Sequence, residues 1–409
     1  VDFLREARND NFVSFEPGFN VQNNYRIYEI DIKINNQLEK KYNLNYITGY
    51  GADKSLLDNV VESGLDKNSN QMVSMSPANF SYQVSSYTDI TLDTNWTIPY
   101  DFSSYYYEVQ GGVRLADVNG DSLVDILASW HNYGGINDPN AVYINDGSSW
   151  ALDESWVIPL DFADYYNPGD LGVRLADLNG DGLADMVQAH YTGEHYTLTT
   201  LVYMNNGSGW TLDENYIFPE PFVDHMGVDM GARLDDINGD GLVDLLRSSQ
   251  RLGPIDIVNN VYINDGTSLN LDSSWSVPYY IADYSYEVEG GIQLADINGD
   301  NLVDILVSWH NWGGINDPNA VYINNGSGWN LDESWIIPLD FADSNNPGDL
   351  GVRLADLNGD SLFDIVWARR LADSSLLHLV YINNGSGWAL DENYIFSEPF
   401  SDHVSKDLG

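Results

Sequence analysis

Five copies of one nine-residue pattern, D-x-N-G-D-x-x-x-D, recur along this chain. They begin at Asp117, Asp177, Asp236, Asp296 and Asp356, so successive copies lie 60, 59, 60 and 60 residues apart. Self-similarity at such a period means one structural unit copied several times. No single copy can bury its apolar face alone, so neighbours must stack.

The pattern also has its own chemistry. Oxygen ligands at positions 1, 3, 5 and 9 of a tight loop, with the main-chain carbonyl of position 7, suit a hard cation that takes six to eight oxygens. In the first copy these are Asp117, Asn119, Asp121, Asp125 and the carbonyl of Leu123. The second offers Asp177, Asn179, Asp181, Leu183 and Asp185, and the third Asp236, Asn238, Asp240, Leu242 and Asp244. The fourth offers Asp296, Asn298, Asp300, Leu302 and Asp304, and the fifth Asp356, Asn358, Asp360, Leu362 and Asp364. Three carboxylates so close repel unless a divalent ion sits between them. Calcium fits better than magnesium, because the donors are many and the loop is flexible. The alternative is an acidic turn without metal.

A helix-loop-helix calcium hand does not fit. Position 12 would need a bidentate Glu, and it is Ala128, Gln188, Arg247, Val307 and Trp367. The flanks Val113–Ala116 and Val124–Leu127 read as short strands rather than amphipathic helices. Gly120 and its equivalents allow a sharp reversal, and position 6 is always small or turn-tolerant: Ser122, Gly182, Gly241, Asn301 or Ser361.

Composition narrows the function. The 409 residues carry a net charge of −45, with 62 acidic and 17 basic side chains. Nucleic acid is excluded as a partner, since phosphate contact needs clustered Lys and Arg. Five divalent ions, about one per loop, would offset part of the acidity, and the rest fits solubility or a salty medium. There is no cysteine, so disulfides, thiolate metal sites and Cys nucleophiles are ruled out. No apolar run is long enough for a membrane span. The sequence opens on Val with no signal peptide in view, as expected of a mature or excised piece. Weak calcium loops suit an extracellular fluid, which points to a secreted or cell-surface protein.

Residues 1–76 belong to none of the repeats and hold 8 of the 17 basic residues. Asn24–Ile34 alternates apolar and polar side chains, Asn35-Asn36-Gln37 makes a turn, and Leu38–Tyr46 returns, which predicts a hairpin. Ser55–Gly64 reads as a short helix or a loop. From 77 the repeat register begins: Phe80-Ser-Tyr82 resembles Val142-Tyr143-Ile144, and Leu92–Pro99 matches Leu271–Pro278. Residues 77–100 therefore read as the second half of a unit.

Each full unit predicts four short strands: in the first copy Gly112–Ala116, Val124–Ser129, Ala141–Asn145 and Trp150–Ile158. Four strands per roughly 60 residues is the signature of a propeller blade. A longer period overlies the short one, for 105–190 recur at 284–368. The order of units is thus A-B-C-A-B. Asp407-Leu408-Gly409 aligns with Asp229-Met230-Gly231, so a sixth acidic loop is expected beyond Gly409. The fold expected is all-β: five visible blades, six when complete, over 77–409, after a β-rich segment over 1–76.

The loop set resembles the FG-GAP or VCBS repeats, the calcium-bearing blades of integrin-like propellers. A wider stretch, Val173–Asp185 followed by Val202–Trp210, is similar to propellers of Rhs/YD-repeat proteins and of the B components of bacterial Tc toxin complexes. Ile34–Tyr46 ahead of Pro77-Ala-Asn-Phe80-Ser-Tyr82 adds to that likeness. The resemblance implies a secreted or surface-delivered protein whose propeller docks or gates, with the loop Asp and Asn residues as calcium ligands. Neither YD repeats nor a toxin domain is in the sequence.

Other motifs admit other functions. Trp130-His131-Asn132 and Trp309-His310-Asn311 open two matching loops that could grip a sugar, as in a lectin; packing between blades is the simpler reading, since both follow a core strand. The once-per-unit aromatics Trp150, Trp210, Trp329 and Trp388, with Trp156, Tyr216, Trp275, Trp335 and Tyr394, read as stacking residues. Arg114, Arg174, Arg233 and Arg353 stand three before each first Asp and read as salt-bridge partners, with Gln293 in the fourth copy. The seven His offer no triad spacing. Every repeated carboxylate has a metal explanation, and no break in the repeat singles out an acidic pair for a hydrolase. A non-catalytic module with a protein or glycan partner is expected, ahead of a lectin and an extracellular polysaccharide hydrolase.

Overall fold

The computed structural model describes residues 1–14, 21–35, 37–48, 55–67, 69, 71–80, 96–99, 112–131, 139–164, 170–192, 197–250, 257–283, 291–310, 318–343, 350–371, 373–394, 396 and 398–401. Among them there is no helix, and the strands form six sheets.

The first sheet is built of long strands: β1 Asp2–Ser14, β2 Val21–Ile34, β3 Gln37–Thr48, β4 Ser55–Asp66, then the short β5 Gln71–Ser74 and β6 Ala78–Asn79. The expected hairpin is β2 and β3, with Ile30 opposite Tyr42 and Ile34 opposite Gln37. Asn35 turns it at a left-handed φ of 50°, which Asn tolerates better than most residues. The reading of Ser55–Gly64 as helix or loop is overturned. It is β4, paired antiparallel with β3 from Lys40–Gly64 to Thr48–Ser55. Its Leu56-Leu57 and Val60-Val61 pairs blur the two-residue period, but Val-rich segments suit a sheet. The two residues of β6 pair with β4 at Asn59 and Val60, so this sheet extends past residue 76.

The second sheet begins the repeats: β7 Val113–Ala116, β8 Asp125–His131, β9 Asn140–Asn145, β10 Trp150–Leu152 and β11 Ala163–Asp164. The order is β10-β9-β8, with β7 and β11 both paired to β8. Four further sheets repeat the four antiparallel strands over 173–212, 232–283, 292–343 and 352–390, and those of 232–283 and 292–343 also carry the two-residue parallel strand.

The fourth strand is shorter than expected. It stops at Leu152, because Asp153 accepts the N–H of Ser155 at 2.9 Å and turns the chain away. Residues 156–163 then cross to the next sheet. Trp156, Ile158 and Phe162 pack among Val118, Leu127 and Val142 of one sheet and Val173 and Met186 of the following one. β11 returns in parallel beside β8, with Ala163 opposite Trp130. The same crossing recurs at each seam, so the apolar core lies between consecutive sheets.

Aromatic rings close the seams as expected of stacking residues. Trp156 meets Trp210 edge-on with centroids 5.0 Å apart, Trp275 meets Trp329 at 5.0 Å, and Trp335 meets Trp388 at 4.9 Å. Trp96 meets Trp150 in the same way at 4.6 Å. Trp96 thus does for the first repeat sheet what Trp156 does for the second, as expected of a half unit before the first loop; Leu92–Asn95 lie outside the described residues.

Candidate functional site: the acidic loops

Each acidic loop joins the first two strands of a repeat, and its conformation is the same five times. Positions 4 and 6 are both left-handed: Gly120 at φ 80° and Ser122 at 67°, then 77° and 84°, 77° and 85°, 76° and 64°, 76° and 69° in the later copies. Glycine meets that need without strain at position 4, while Ser122, Asn301 and Ser361 hold it at position 6 against the Cβ penalty.

The side-chain oxygens are turned into the loop. Asp117 Oδ1 accepts the N–H of Gly120 at 2.7 Å and Oδ2 that of Ser122 at 2.7 Å. Asn119 Oδ1 accepts the N–H of Asp121 at 3.0 Å, and Asp121 Oδ1 that of Leu123 at 2.9 Å. Asp177, Asp236, Asp296 and Asp356 hold the corresponding N–H groups in their loops.

Position 9 is the most buried part of the motif. Asp125, Asp185, Asp244, Asp304 and Asp364 are all inaccessible to solvent. Asp125 Oδ2 accepts the N–H of Val118 at 3.0 Å and Oδ1 that of Asn145 at 2.8 Å. One carboxylate thus ties the loop to the end of the third strand. Burial pushes these groups up, their N–H partners oppose it, and the position-1 and position-5 carboxylates push further. Asp185 and Asp364 rise to about 6, Asp244 to about 7 and Asp304 to about 8.

The donor set is all oxygen, rich in carboxylate and short of compensating positive charge, which fits a hard divalent cation. Among the described residues, however, no three acidic or His side chains converge into a cage. The loop carboxylates hold main-chain N–H groups instead.

The loop also sits on the seam between sheets, which the sequence did not reveal. Asn205 Nδ2 donates to Val118 O of the preceding loop at 2.8 Å. Asn264, Asn324 and Asn383 do the same to Leu178, Ile237 and Ile297, each at 2.8 Å. Trp150, Trp210, Trp329 and Trp388 donate their indole N–H to the carbonyls just before Asp125, Asp185, Asp304 and Asp364; the third repeat has Leu269 in that place. Leu183, expected only as a carbonyl donor, also packs its side chain across the seam. A Cβ added at Gly120 would lie 2.9 Å from it, and one at Gly180 2.7 Å from Leu242. The signal for these roles was present as an Asn, a Trp and a Leu in fixed register, but their partners lie in another repeat.

Of the arginines before the loops, Arg114, Arg174 and Arg233 form salt bridges, as expected. Arg174 meets Asp170 at 2.7 Å, Arg233 meets Asp229 at 2.6 Å, and Arg114 reaches Asp170 at 3.6 Å. Arg114, Arg174 and Arg353 also lie over the rings of Phe162, Phe222 and Phe400.

The repeat does have one break that sequence reasoning missed. Arg247 and Glu220 form a buried ion pair between the third and fourth sheets, 3% and 7% exposed. Asn260 Nδ2 and Tyr262 OH donate to the other oxygen of Glu220 at 2.7 and 2.8 Å. Burial, and then the bond to Glu220, push the Tyr262 hydroxyl up to about 12. The signal was Arg247 itself, where other repeats have Ala, Gln, Val and Trp.

Trp130 and Trp309 are half-buried. A Cβ on Gly112 would lie 2.5 Å from Trp130, and one on Gly291 2.8 Å from Trp309. Trp309 also meets Tyr279 edge-on at 5.9 Å. Both indoles therefore pack against the chain. His131 and His310 follow in register with Asp164 and Asp343. Asn132 and Asn311 lie outside the described residues.

No family model matches this chain, and no curated protein matches its sequence. Solved structures do match. One is the Photorhabdus luminescens Tc holotoxin pore, 17% identical over 94% of this chain and 19% of that one, with a TM-score of 0.36. Another is the TcdB2-TccC3 crystal structure, 15% identical over 94% and 20%, with a TM-score of 0.33. A third is an Agrocybe aegerita lectin studied for its recognition of non-reducing terminal N-acetylglucosamine. It is 16% identical over 93% of this chain and 89% of the lectin, with a TM-score of 0.44. The chain spans about a fifth of the two toxin chains. The likeness concerns β architecture and carries no function.

Proposed function

We propose that the five repeat sheets are blades of a calcium-pinned β-propeller, acting as a non-catalytic docking module of a secreted or surface protein of the Rhs or Tc-toxin kind. The supporting observation is the placement of the acidic loop. Its buried position-9 carboxylate joins two strands of one sheet, and its position-2 carbonyl accepts from the next sheet. A cation held by Asp117, Asn119, Asp121, Asp125 and the Leu123 carbonyl, and by their equivalents, would neutralise carboxylates where two sheets meet. The chain's own residues do the rest: the Asn and Trp side chains bind the loop to its neighbours, and the two left-handed positions aim its oxygens inward.

Calcium bound only to the folded state raises stability by about 2.7 kcal/mol at a hundredfold excess over Kd. Thermal unfolding should therefore shift upward in calcium and downward in EDTA. Superimposable melting curves in the two would sink the calcium reading. A lectin is the second reading, and the packing of Trp130 and Trp309 against Gly112 and Gly291 counts against their use as sugar platforms. Reproducible binding on a glycan array, lost on replacing both Trp residues, would reverse that order.

A further inference from the structure

The sixth sheet carries a surface that is already used elsewhere in the molecule. Tyr394, Phe396, Glu398, Pro399, Phe400 and Asp402-His403 repeat Tyr216, Phe218, Glu220, Pro221, Phe222 and Asp224-His225. The backbone is anchored identically: Phe222 N–H donates to Ala189 O and Phe400 N–H to Ala368 O, both at 2.9 Å. A parallel bridge joins Val223 to His190, and another joins Ser401 to Arg369.

The two surfaces differ in what covers them. Glu220 is buried under the fourth sheet by Arg247, Asn260 and Tyr262, whereas Glu398 is exposed with no side-chain partner among the described residues. Leu178 is fully buried and its carbonyl accepts from Asn264; its equivalent Leu357 is only partly buried. Gly180 is pressed by Leu242, while a Cβ on Gly359 would meet nothing within 4 Å.

We infer that the outer face of the sixth sheet, centred on Glu398, docks a further β-sheet of the same class as residues 232–283, one that presents an arginine to Glu398 as Arg247 is presented to Glu220. The established seam states what that partner must supply. It needs a guanidinium in the middle of its second strand, an amide and a hydroxyl beside it, an Asn to donate to the Leu357 carbonyl, and a Leu to fill the space over Gly359.

A second copy of this chain does not meet these terms. The sheet of 113–164 has Ala128 in the place of Arg247, and Trp96 already occupies its Trp150. The fourth sheet has the arginine, but its face is taken by Glu220. The inference stands on the seam between the third and fourth sheets and is independent of the calcium reading.

The test extends the full chain at Gly409 with a copy of residues 232–283. Exchange of the main-chain amides at Phe396 and Phe400 should slow by about tenfold or more relative to the unextended chain. Two controls carry the specificity: R247A made only in the appended copy, and E398Q in the extended chain. Each should lose most of that protection while Phe218 and Phe222 stay protected. An appended sheet that leaves Phe400 exchange unchanged overturns the docking. Equal protection with Arg or Ala in the appended copy overturns the charge recognition. Running all arms in calcium and in EDTA separates a failure of the seam from a failure of the metal loops.

Discussion

The first sheet and the five repeat sheets are both antiparallel β-structure, yet they are held together in opposite ways. The repeats place Leu, Ile, Val and aromatic side chains between sheets, and dozens of them are fully buried. Among the described residues of the first sheet no apolar side chain is buried; only Asp31 and Ser63 are. Its strands are long, β1 to β4 running 12 to 14 residues, and ion pairs lace its surface: Lys40 to Glu62 at 2.6 Å, Lys41 to Glu29 at 2.9 Å, Arg26 to Glu6 at 2.8 Å. One row runs Phe3-Ile30-Tyr42 and ends on the charged Glu62, and the next, Asp2-Asp31-Lys41-Ser63-Ser74, is polar throughout. The lesson is about where cohesion comes from. Short strands suffice where each sheet finds another to pack on, and the first sheet, with no buried apolar side chain among its described residues, leans on length and main-chain bonding.

The sharpest way to break this contrast is to truncate one aromatic in each region. Phe222→Ala should cost about 3 to 5 kcal/mol in denaturant unfolding, because the ring fills a seam. Phe3→Ala, 63% exposed, should stay within about 0.5 kcal/mol. Equal losses would show that the first sheet is packed after all.

Charge pairs give the next comparison. Arg247→Ala strands Glu220 in a buried site and should cost about 3 to 5 kcal/mol. Lys40→Ala, at an exposed pair, should leave the midpoint of unfolding where it was. A matched loss in both would mean that burial does not separate them.

A smaller effect is expected on the acid side. Burial alone would push Asp229 up, but the Arg233 guanidinium 2.6 Å away, with the Gly231 N–H and Arg174, holds it below the ordinary carboxylate range. Its contribution to stability is therefore present above the unfolded value of about 4, and is lost as pH falls through the lower folded value. Asp229→Asn should flatten the acid limb of an unfolding midpoint measured against pH, while the five acidic loops are left untouched. An unchanged limb would assign the acid sensitivity elsewhere.

The smallest expected effect is a gain. Ser122 holds φ 67°, so Ser122→Gly should stabilise the first loop by no more than about 1 kcal/mol. A loss there would mean that the serine hydroxyl is needed.

The loops, the strand pattern, the stacking tryptophans and the arginine salt bridges were legible because they are local or repeat in fixed register. Ser55–Gly64 was misread because doubled aliphatics hide the two-residue period that a strand normally shows. The three-residue fourth strand was misread because the Asp153 turn cuts it where the apolar pattern continues. Glu220 and Arg247 were overlooked because they stand 27 residues apart and meet only across a seam.

By itself, then, the order of residues determined a chain of copied β-units, each with an oxygen-rich turn held in left-handed backbone. It did so because turn chemistry and side-chain alternation act over a few residues. Which Asn donates to which carbonyl, which Leu covers which Gly, and which Glu meets an Arg was decided only by stacking. Those contacts join units 50 or more residues apart in some cases and a single seam in space in all of them, and no local rule carries that distance.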